Sequence, residues 1–266
     1  MVKKIVGTGV LLVLALALQA GVKMYTLKSP DGKVKLEVTA GQGIAYSLFY
    51  DGRLLLKPSR IALHTDLPEA DHWENIRITG TKQRHVSETV QAPFYRVKEF
   101  GIDCNELELR LNNGFSLLMR AYNDGMAYRF VAGRKGEMTV VEERAEFNFA
   151  DDFEAYIPYS TNPKDPWNMA FQNFYTKASL TQYNTELPAF LPLTVDAGAV
   201  KLTLLESDLE AYPGMFVCGD GKTPALKGVF AAYPQETFKN KWRCQETVKT
   251  RRPYIARVAG KRTFPW

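Results

Sequence analysis

The sequence is poor in the residues that most often mark metal, redox or nucleophilic sites, with only 3 cysteines and 3 histidines among 266 residues. The cysteines are Cys104, Cys218 and Cys244, and the histidines are His64, His72 and His85. No two cysteines have the Cys-x-x-Cys spacing, which argues against a zinc knuckle or a dithiol redox motif. The histidines form no metal-binding motif, and none has an adjacent serine or cysteine elbow. The sequence therefore shows no complete catalytic constellation.

Long apolar runs are also absent, apart from one at the N-terminus. Lys3 and Lys4 precede the apolar run Ile5–Leu18, and Ala20 offers a small residue for cleavage. This pattern predicts a secretory signal peptide over residues 1–20 and a periplasmic or secreted protein. A membrane-spanning helix needs about 18 or more apolar residues, and glycine and polar residues interrupt this run. We therefore expect no membrane span after signal cleavage.

An exported chain can keep a disulfide. Cys218 with Cys244 is the pairing that we predict, but the sequence alone does not decide it. The net charge of +5 includes the two lysines of the predicted signal peptide, and the other basic residues are mixed with acidic ones. No basic stripe for a nucleic acid is present, so we expect no nucleic-acid partner.

Strand patterns dominate the rest of the chain. Val34–Val38 alternates apolar and polar residues, and a second such run, Ala45–Tyr50, is followed directly by Asp51-Gly52. An Asp-Gly between two strands favours a type I′ hairpin, because both central residues need positive φ. Asp31-Gly32 predicts an earlier turn of the same kind.

The same pattern repeats downstream. Asn105–Leu111, Phe115–Tyr122 and Met126–Val131 read as successive strands, separated by turns rich in asparagine and glycine. Such a meander predicts an all-β fold, a large antiparallel β-sandwich of two stacked sheets. No segment keeps a helical period, although Glu206–Tyr212 could form one helical turn that Pro213 would end.

Two groups of side chains could bind something. Glu206, Asp208 and Glu210 form an acidic cluster directly after a predicted strand. Carboxylate oxygens suit calcium, but the cluster lacks the EF-hand spacing and could be a solvated turn. Aromatic residues crowd residues 167–183, where exposed rings could stack on sugars and buried rings would fill a core. Trp73 and Trp242 are further candidates of the same kind.

Five motifs together resemble glycoside hydrolase family 97. They are Ser29–Lys33, Tyr50–Gly52, Arg120–Arg129, Glu206–Met215 and the terminal Arg262–Trp266. The resemblance implies an exported α-glucosidase or α-galactosidase with an N-terminal β-super-sandwich of the galactose mutarotase type, a central (β/α)8 barrel and a small C-terminal β-domain. This chain matches only the first, so we expect the sandwich over residues 21–260. Residues 261–266 would then begin a linker into the barrel.

The resemblance also assigns roles. The catalytic carboxylates would come from the barrel, so no catalytic residue is predicted in this chain. Glu206 would be a calcium ligand in a site shared with the barrel, and the chain alone would bind calcium weakly. The substrate would be an oligosaccharide or α-glycoside. The loop at residues 162–175 departs from the family pattern, which leaves glucoside or galactoside specificity open. Inversion or retention depends on the separation of the barrel carboxylates and stays open as well.

Two alternatives remain at this point. The chain could be a stand-alone carbohydrate-binding module that uses Trp167, Trp73 or Trp242 as a stacking platform. It could instead be a small enzyme of the mutarotase type with His64 or His85 as its base.

Overall fold

The structure is a computed structural model, and it describes residues 22–168, 171–239, 241 and 246–266. The strands are β1 Lys23–Lys28, β2 Val34–Gly41, β3 Gly43–Tyr50, β4 Arg53–Thr65, β5 Ile78–Gln91, β6 Glu99–Leu111, β7 Phe115–Tyr122, β8 Gly125–Ala132, β9 Glu137–Asn148, β10 Glu154–Ile157, β11 Thr176–Ser179, β12 Leu193–Ala197, β13 Val200–Leu204, β14 Met215–Gly219, β15 Ala225–Phe230, β16 Pro234–Lys239, β17 Glu246–Arg251, β18 Ala256–Ala259 and β19 Arg262–Thr263. One 3-10 turn, Leu180–Gln182, is the single helical element of the described residues.

Two antiparallel sheets form the body of the molecule. The larger has the order β1-β2-β3-β4-β9-β15-β14, with β18 also on β9, and the smaller has the order β19-β8-β7-β6-β5. A four-stranded sheet, β11-β10-β12-β13, and the ribbon β16-β17 complete the pairing. The predicted all-β, antiparallel architecture is confirmed, and the described residues contain no (β/α)8 barrel.

The core lies between the two large sheets. Burial alternates residue by residue along β2 and β7, as expected for strands with one covered face. Tyr46 of β3 and Tyr128 of β8 bring rings from opposite sheets together, with centroids 5.8 Å apart. Trp73 packs edge-on against Phe130 at 5.4 Å, and its indole N–H donates to the carbonyl of Leu63 at 3.0 Å. Trp73 is 5% exposed, so its assignment as a sugar-stacking platform was wrong.

The predicted hairpin turns have different outcomes. Asp51 (φ 48°) and Gly52 (φ 78°) both have positive φ between the paired residues Tyr50 and Arg53, as the type I′ prediction requires. Gly32 has a φ of 76°, but Asp31 is not left-handed, so the prediction of the same turn there was wrong. A longer loop forms instead, because the Asp31 carboxylate accepts the Ser29 hydroxyl and the Lys33 N–H.

Several predictions fall outside the described residues. These are the signal peptide at 1–20, Trp242, and Cys244 of the predicted disulfide. Cys104 is buried and Cys218 half-buried, and the two are not bonded to each other. Among the described residues, no helix has the length and apolar character needed to cross a membrane.

Close packing around Tyr183 gives a first test of the fold. A Cβ added at Gly219 would lie 2.7 Å from Cγ of Tyr183, whose hydroxyl donates to the carbonyl of Val217 at 2.7 Å. We expect Gly219→Ala to lower the free energy of unfolding by about 1–3 kcal/mol, because the ring has no room to move. Gly125→Ala is the matched control, since nothing lies within 4 Å of its added Cβ. Equal unfolding midpoints in urea for both variants would contradict this packing.

Candidate functional site

Glu206 lies in the loop between β13 and β14 and is fixed by the main chain. Both of its carboxylate oxygens accept the N–H of Met215, at 2.9 and 2.8 Å. Gly214 permits this approach, because a Cβ there would lie 3.1 Å from Oε1. Burial raises the pKa of the Glu206 carboxyl, and the hydrogen bond from Met215 opposes that rise. The carboxylate is thus half-buried and held in one orientation.

The loop that follows Glu206 is not helical. Asp208 has a φ of 65° and Ala211 a φ of 50°, both in the left-handed region that non-glycine residues rarely adopt. The helical turn predicted over Glu206–Tyr212 was therefore wrong. An ion pair contributes to this geometry, because Nη2 of Arg129 donates to Oδ2 of Asp208 at 2.5 Å. Glu210 is exposed, so the acidic cluster does not converge on one point.

The last residues lie against this loop. Ser207 and Trp266 exchange two main-chain hydrogen bonds of 3.1 and 3.0 Å. β19 pairs with β8, and the Phe264 N–H donates to the carbonyl of Phe130 at 3.0 Å. Phe264 is buried in the core. Residues 261–266, predicted as the start of a linker, therefore run along the sandwich.

Two arginine side chains stack on the ring of Trp266. The guanidinium carbons of Arg120 and Arg129 lie 4.7 and 4.6 Å from its ring centroid. Arg120 also donates to Glu106 at 2.8 Å, and Arg84 donates to the other oxygen of that carboxylate at 2.6 Å. Burial favours a higher pKa for Glu106, but the two guanidinium groups hold it below its ordinary value. The result is a charged row across the outer face of the smaller sheet.

A second carboxylate lies near Glu206. Glu143 of β9 accepts the hydroxyl of Tyr212 at 2.6 Å. Burial raises the pKa of Glu143 to about 7; the Tyr212 hydrogen bond opposes the rise, and the negative charge of Glu206 adds to it.

The donor chemistry here fits one ligand of a shared calcium site. Calcium prefers carboxylate oxygens, and those of Glu206 share a single N–H donor, so each keeps a free lone pair. Within the described part of the chain, no group of three or more histidine, cysteine, aspartate or glutamate side chains could hold a metal ion. The described residues thus offer Glu206 as a partial ligand set, not a complete cage.

Aromatic rings cluster next to Met215, whose N–H group holds the Glu206 carboxylate. Phe216, which follows Met215, packs against Trp167 at 4.8 Å and Phe171 at 5.7 Å. Trp167 is half-buried by this contact, whereas Phe174 in the same loop is 99% exposed. The predicted aromatic segment therefore divides into rings that pack on one another and at least one ring that is free to meet a ligand.

The histidine alternative stays a hypothesis, because it needs one histidine with a carboxylate and each candidate has one beside it. His64 on β4 lies 2.7 Å from Asp71, whereas His85 on β5 lies 3.1 Å from Asp103. These strands belong to different sheets, so the fold does not bring the two histidines into one site.

The chain matches the family described as Glycosyl-hydrolase 97 N-terminal over residues 27–266. It belongs to this family. This family 97 domain is 39% identical over 259 residues to a protein named Retaining alpha-galactosidase from Bacteroides thetaiotaomicron. The match covers 94% of the chain and 39% of that relative. A Probable retaining alpha-galactosidase from Streptomyces bingchenggensis is 26% identical over 48% of the chain and 20% of that relative.

Solved structures show the same fold as this family 97 domain. One is a Glycoside Hydrolase Family 97 enzyme in complex with acarbose from Pseudoalteromonas sp. strain K8, with a TM-score of 0.72 and 16% identity. It aligns with 91% of this chain and 34% of its own length. A beta-arabinopyranosidase aligns with a TM-score of 0.71 and 19% identity over 91% of this chain and 39% of its own. The chain thus spans about two fifths of the length of its 39% identical curated relative.

Sequence reasoning missed most of what surrounds Glu206 in this family 97 domain. Arg120 and Arg129 stood out only as the ends of a motif, and Glu106 and Glu143 did not stand out at all. Arg120 and Glu106 fit the alternation of their strands as outward polar residues, so no local pattern singles them out from a solvated face. The pairing of Arg129 with Phe264 joins residues 135 apart in sequence, which no local pattern indicates.

Removal of the Arg129 guanidinium tests how the loop is held. Arg129→Met would leave the Phe264 carbonyl and the Asp208 carboxylate without their donors, so we expect a loss of roughly 2–4 kcal/mol in unfolding free energy. Arg134→Met is the control, since Arg134 makes an exposed ion pair with Glu69. That pair should contribute less than about 1 kcal/mol. Similar losses in urea denaturation would contradict a central role for Arg129.

The raised pKa of Glu143 predicts a pH dependence of stability. Between its ordinary value of 4.5 and about 7, the folded protein keeps a proton that the unfolded chain has lost. Stability should therefore fall as pH rises through this interval, by roughly 3 kcal/mol at about 1.4 kcal/mol per pKa unit. Glu143→Gln should flatten that slope in chelator-treated protein, as measured by urea unfolding at several pH values. An unchanged slope in the variant would show that another group titrates.

Proposed function

We propose that this chain is the non-catalytic N-terminal domain of an exported, calcium-dependent α-glycosidase. In that enzyme it supplies one calcium ligand, Glu206, and one wall of the sugar pocket. The observation that carries the proposal is the half-buried Glu206 carboxylate, fixed by the Met215 N–H beside the point where Trp266 lies. Family membership supports it, because glycoside hydrolysis needs a pair of carboxylates that the family resemblance assigns to a barrel domain.

The role of the chain in catalysis would be positioning. When bound, a calcium ion supplies a fixed positive charge that can stabilise developing negative charge. Glu206 would offer oxygens to it, and Met215 would hold that carboxylate in place. Asp208 is held by Arg129 and Ser207 by Trp266, so the residues after Glu206 are tied to the smaller sheet. The remaining ligands would come from the catalytic domain.

The wall of the pocket would be the aromatic loop. Phe216 directly follows Met215 at the start of β14, and its ring packs on Trp167 and Phe171. The aromatic loop therefore lies at the same end of β14 as the N–H group that holds Glu206. The exposed ring of Phe174 is the best candidate for contact with a sugar. The name of the 39% identical relative favours a retaining α-galactosidase over an α-glucosidase as the complete enzyme.

A charge-removing substitution tests the calcium role. In the enzyme that includes its catalytic domain, Glu206→Gln should weaken calcium binding by roughly 10–100-fold, because a ligand loses its negative charge. Titration calorimetry on chelator-treated protein measures this directly. Glu210→Gln is the matched control, because Glu210 is exposed in the same loop. Micromolar calcium binding by the 266-residue chain alone, abolished by Glu206→Gln, would contradict a shared site.

A stand-alone carbohydrate-binding module is the second candidate, and the exposure of Phe174 favours it. Sugar binding by the chain alone would then be lost in Phe174→Ala and unaffected by Glu206→Gln. Calcium binding that depends on the catalytic domain would favour the first proposal instead.

A further inference from the structure

The hairpin of β5 and β6 extends beyond the rest of its sheet. β6 pairs with β7 only as far as Cys104 opposite Tyr122, whereas β5 and β6 stay paired to Gln91 opposite Glu99. At about 3.4 Å per residue, residues 99–103 carry the hairpin roughly 17 Å past the end of β7. We call residues 87–103 the arm. Among the described residues, no other strand pairs with the arm.

The arm has one largely apolar face and one polar face. Side chains alternate between the faces of a strand, and directly opposed residues share a face. One face carries Glu88, Val90, Phe100 and Ile102; the other carries Ser87, Thr89, Gln91, Glu99, Gly101 and Asp103. On the first face, Val90 is 42% and Phe100 45% exposed, although both are large and apolar.

Exposed apolar residues continue into the tip of the arm. Phe94 is 97%, Tyr95 72% and Val97 53% exposed. Soluble domains rarely expose contiguous apolar patches of this kind without a partner. A two-stranded ribbon is also only marginally stable in water unless something covers one face. The arm therefore has the composition of a segment that packs against another surface.

The register places the apolar face on the same side of the sheet as Trp266. Arg84 and Val90 are an even number of residues apart on β5, so they share a face. Arg84 and Arg120 both bind Glu106 on that face, and Arg120 stacks on Trp266. The apolar face of the arm thus continues the surface on which the terminal tryptophan lies.

The direction of β19 favours one occupant for the apolar face. β19 is antiparallel to β8 and advances from Ala132 toward the start of β8 at Gly125. Gly125 pairs with Tyr122, beyond which the arm projects. The chain thus runs toward the arm, and it spans 39% of the length of its 39% identical relative. Charged residues along the edge strand β5, such as Lys82 and Arg84, disfavour edge pairing with a second copy.

We propose that the arm is a docking arm, whose apolar face and tip pack against the catalytic domain that follows Trp266. The inference rests on the proposed function, because it requires that domain. It adds a contact that is separate from the Glu206 loop and reaches past the end of the sandwich.

Two single-cysteine variants of adjacent residues test the arm. Val90→Cys places a thiol on the apolar face, and Thr89→Cys places one on the polar face, with both residues exposed in this structure. In the enzyme that includes its catalytic domain, we expect the thiol at 90 to react with a maleimide at least about ten-fold more slowly than that at 89. The unsubstituted enzyme gives the background from the native cysteines. Equal rates at the two positions would overturn the proposal.

Dilution distinguishes the catalytic domain from a second copy of the chain as the occupant of the apolar face, and a substitution on that face tests the contact itself. Protection at position 90 that disappears on dilution, as the enzyme goes from dimer to monomer, would overturn the proposal in favour of a second copy. Phe100→Ser should abolish the protection at 90 in the Val90→Cys background, while Glu206-dependent calcium binding stays intact. Equal rates at 89 and 90 in an enzyme that still binds calcium through Glu206 would overturn this inference alone, whereas loss of that calcium dependence would count against the proposed function.

Discussion

The buried guanidinium of Arg129 is the interaction on which the arrangement of the Glu206 region depends. It donates to the Phe264 carbonyl, pairs with Asp208 and stacks on Trp266, so one side chain joins β8, the residues that follow β19 and the loop after Glu206. A buried charge is costly unless it is paired and hydrogen-bonded. These contacts satisfy it in this geometry, which explains why a loop with two left-handed non-glycine residues can hold one conformation.

The apolar and polar side chains of the domain lie in different places. The sheets provide a rigid, apolar interior, while the polar groups that could serve chemistry lie on the outer face of the smaller sheet and in the loop at 205–214. Glu143, on β9 of the larger sheet, lies close enough to Glu206 for its pKa to respond to that charge, but no group of three or more metal-ligating side chains forms within the described residues. Under the function proposed above, the catalytic domain would supply the remaining ligands.

Local patterns predicted the fold well, because strand alternation and turn chemistry are local properties. The runs at Val34–Val38 and Phe115–Tyr122 became half-buried strands, and Asp51-Gly52 became the expected turn. The site was less accessible to sequence reasoning. Several of its features depend on residues that are distant in sequence. These are the burial of Trp73, the left-handed backbone of Asp208 and the pairing of Ser207 with Trp266. The identification of Glu206 came from a family resemblance, and its anchoring by Met215 came only from the structure.

The position of β19 bears on the order in which the smaller sheet forms. Phe264 belongs to the core, and β19 forms one edge of that sheet. Arg262 pairs with Ala132 and Thr263 with Val131, so these contacts join residues 130 and 132 positions apart in sequence. Contacts of such long range carry a high loop-closure entropy, whereas β6, β7 and β8 are joined by short turns. We therefore expect the meander of β6, β7 and β8 to form first and β19 to be added to it late in folding.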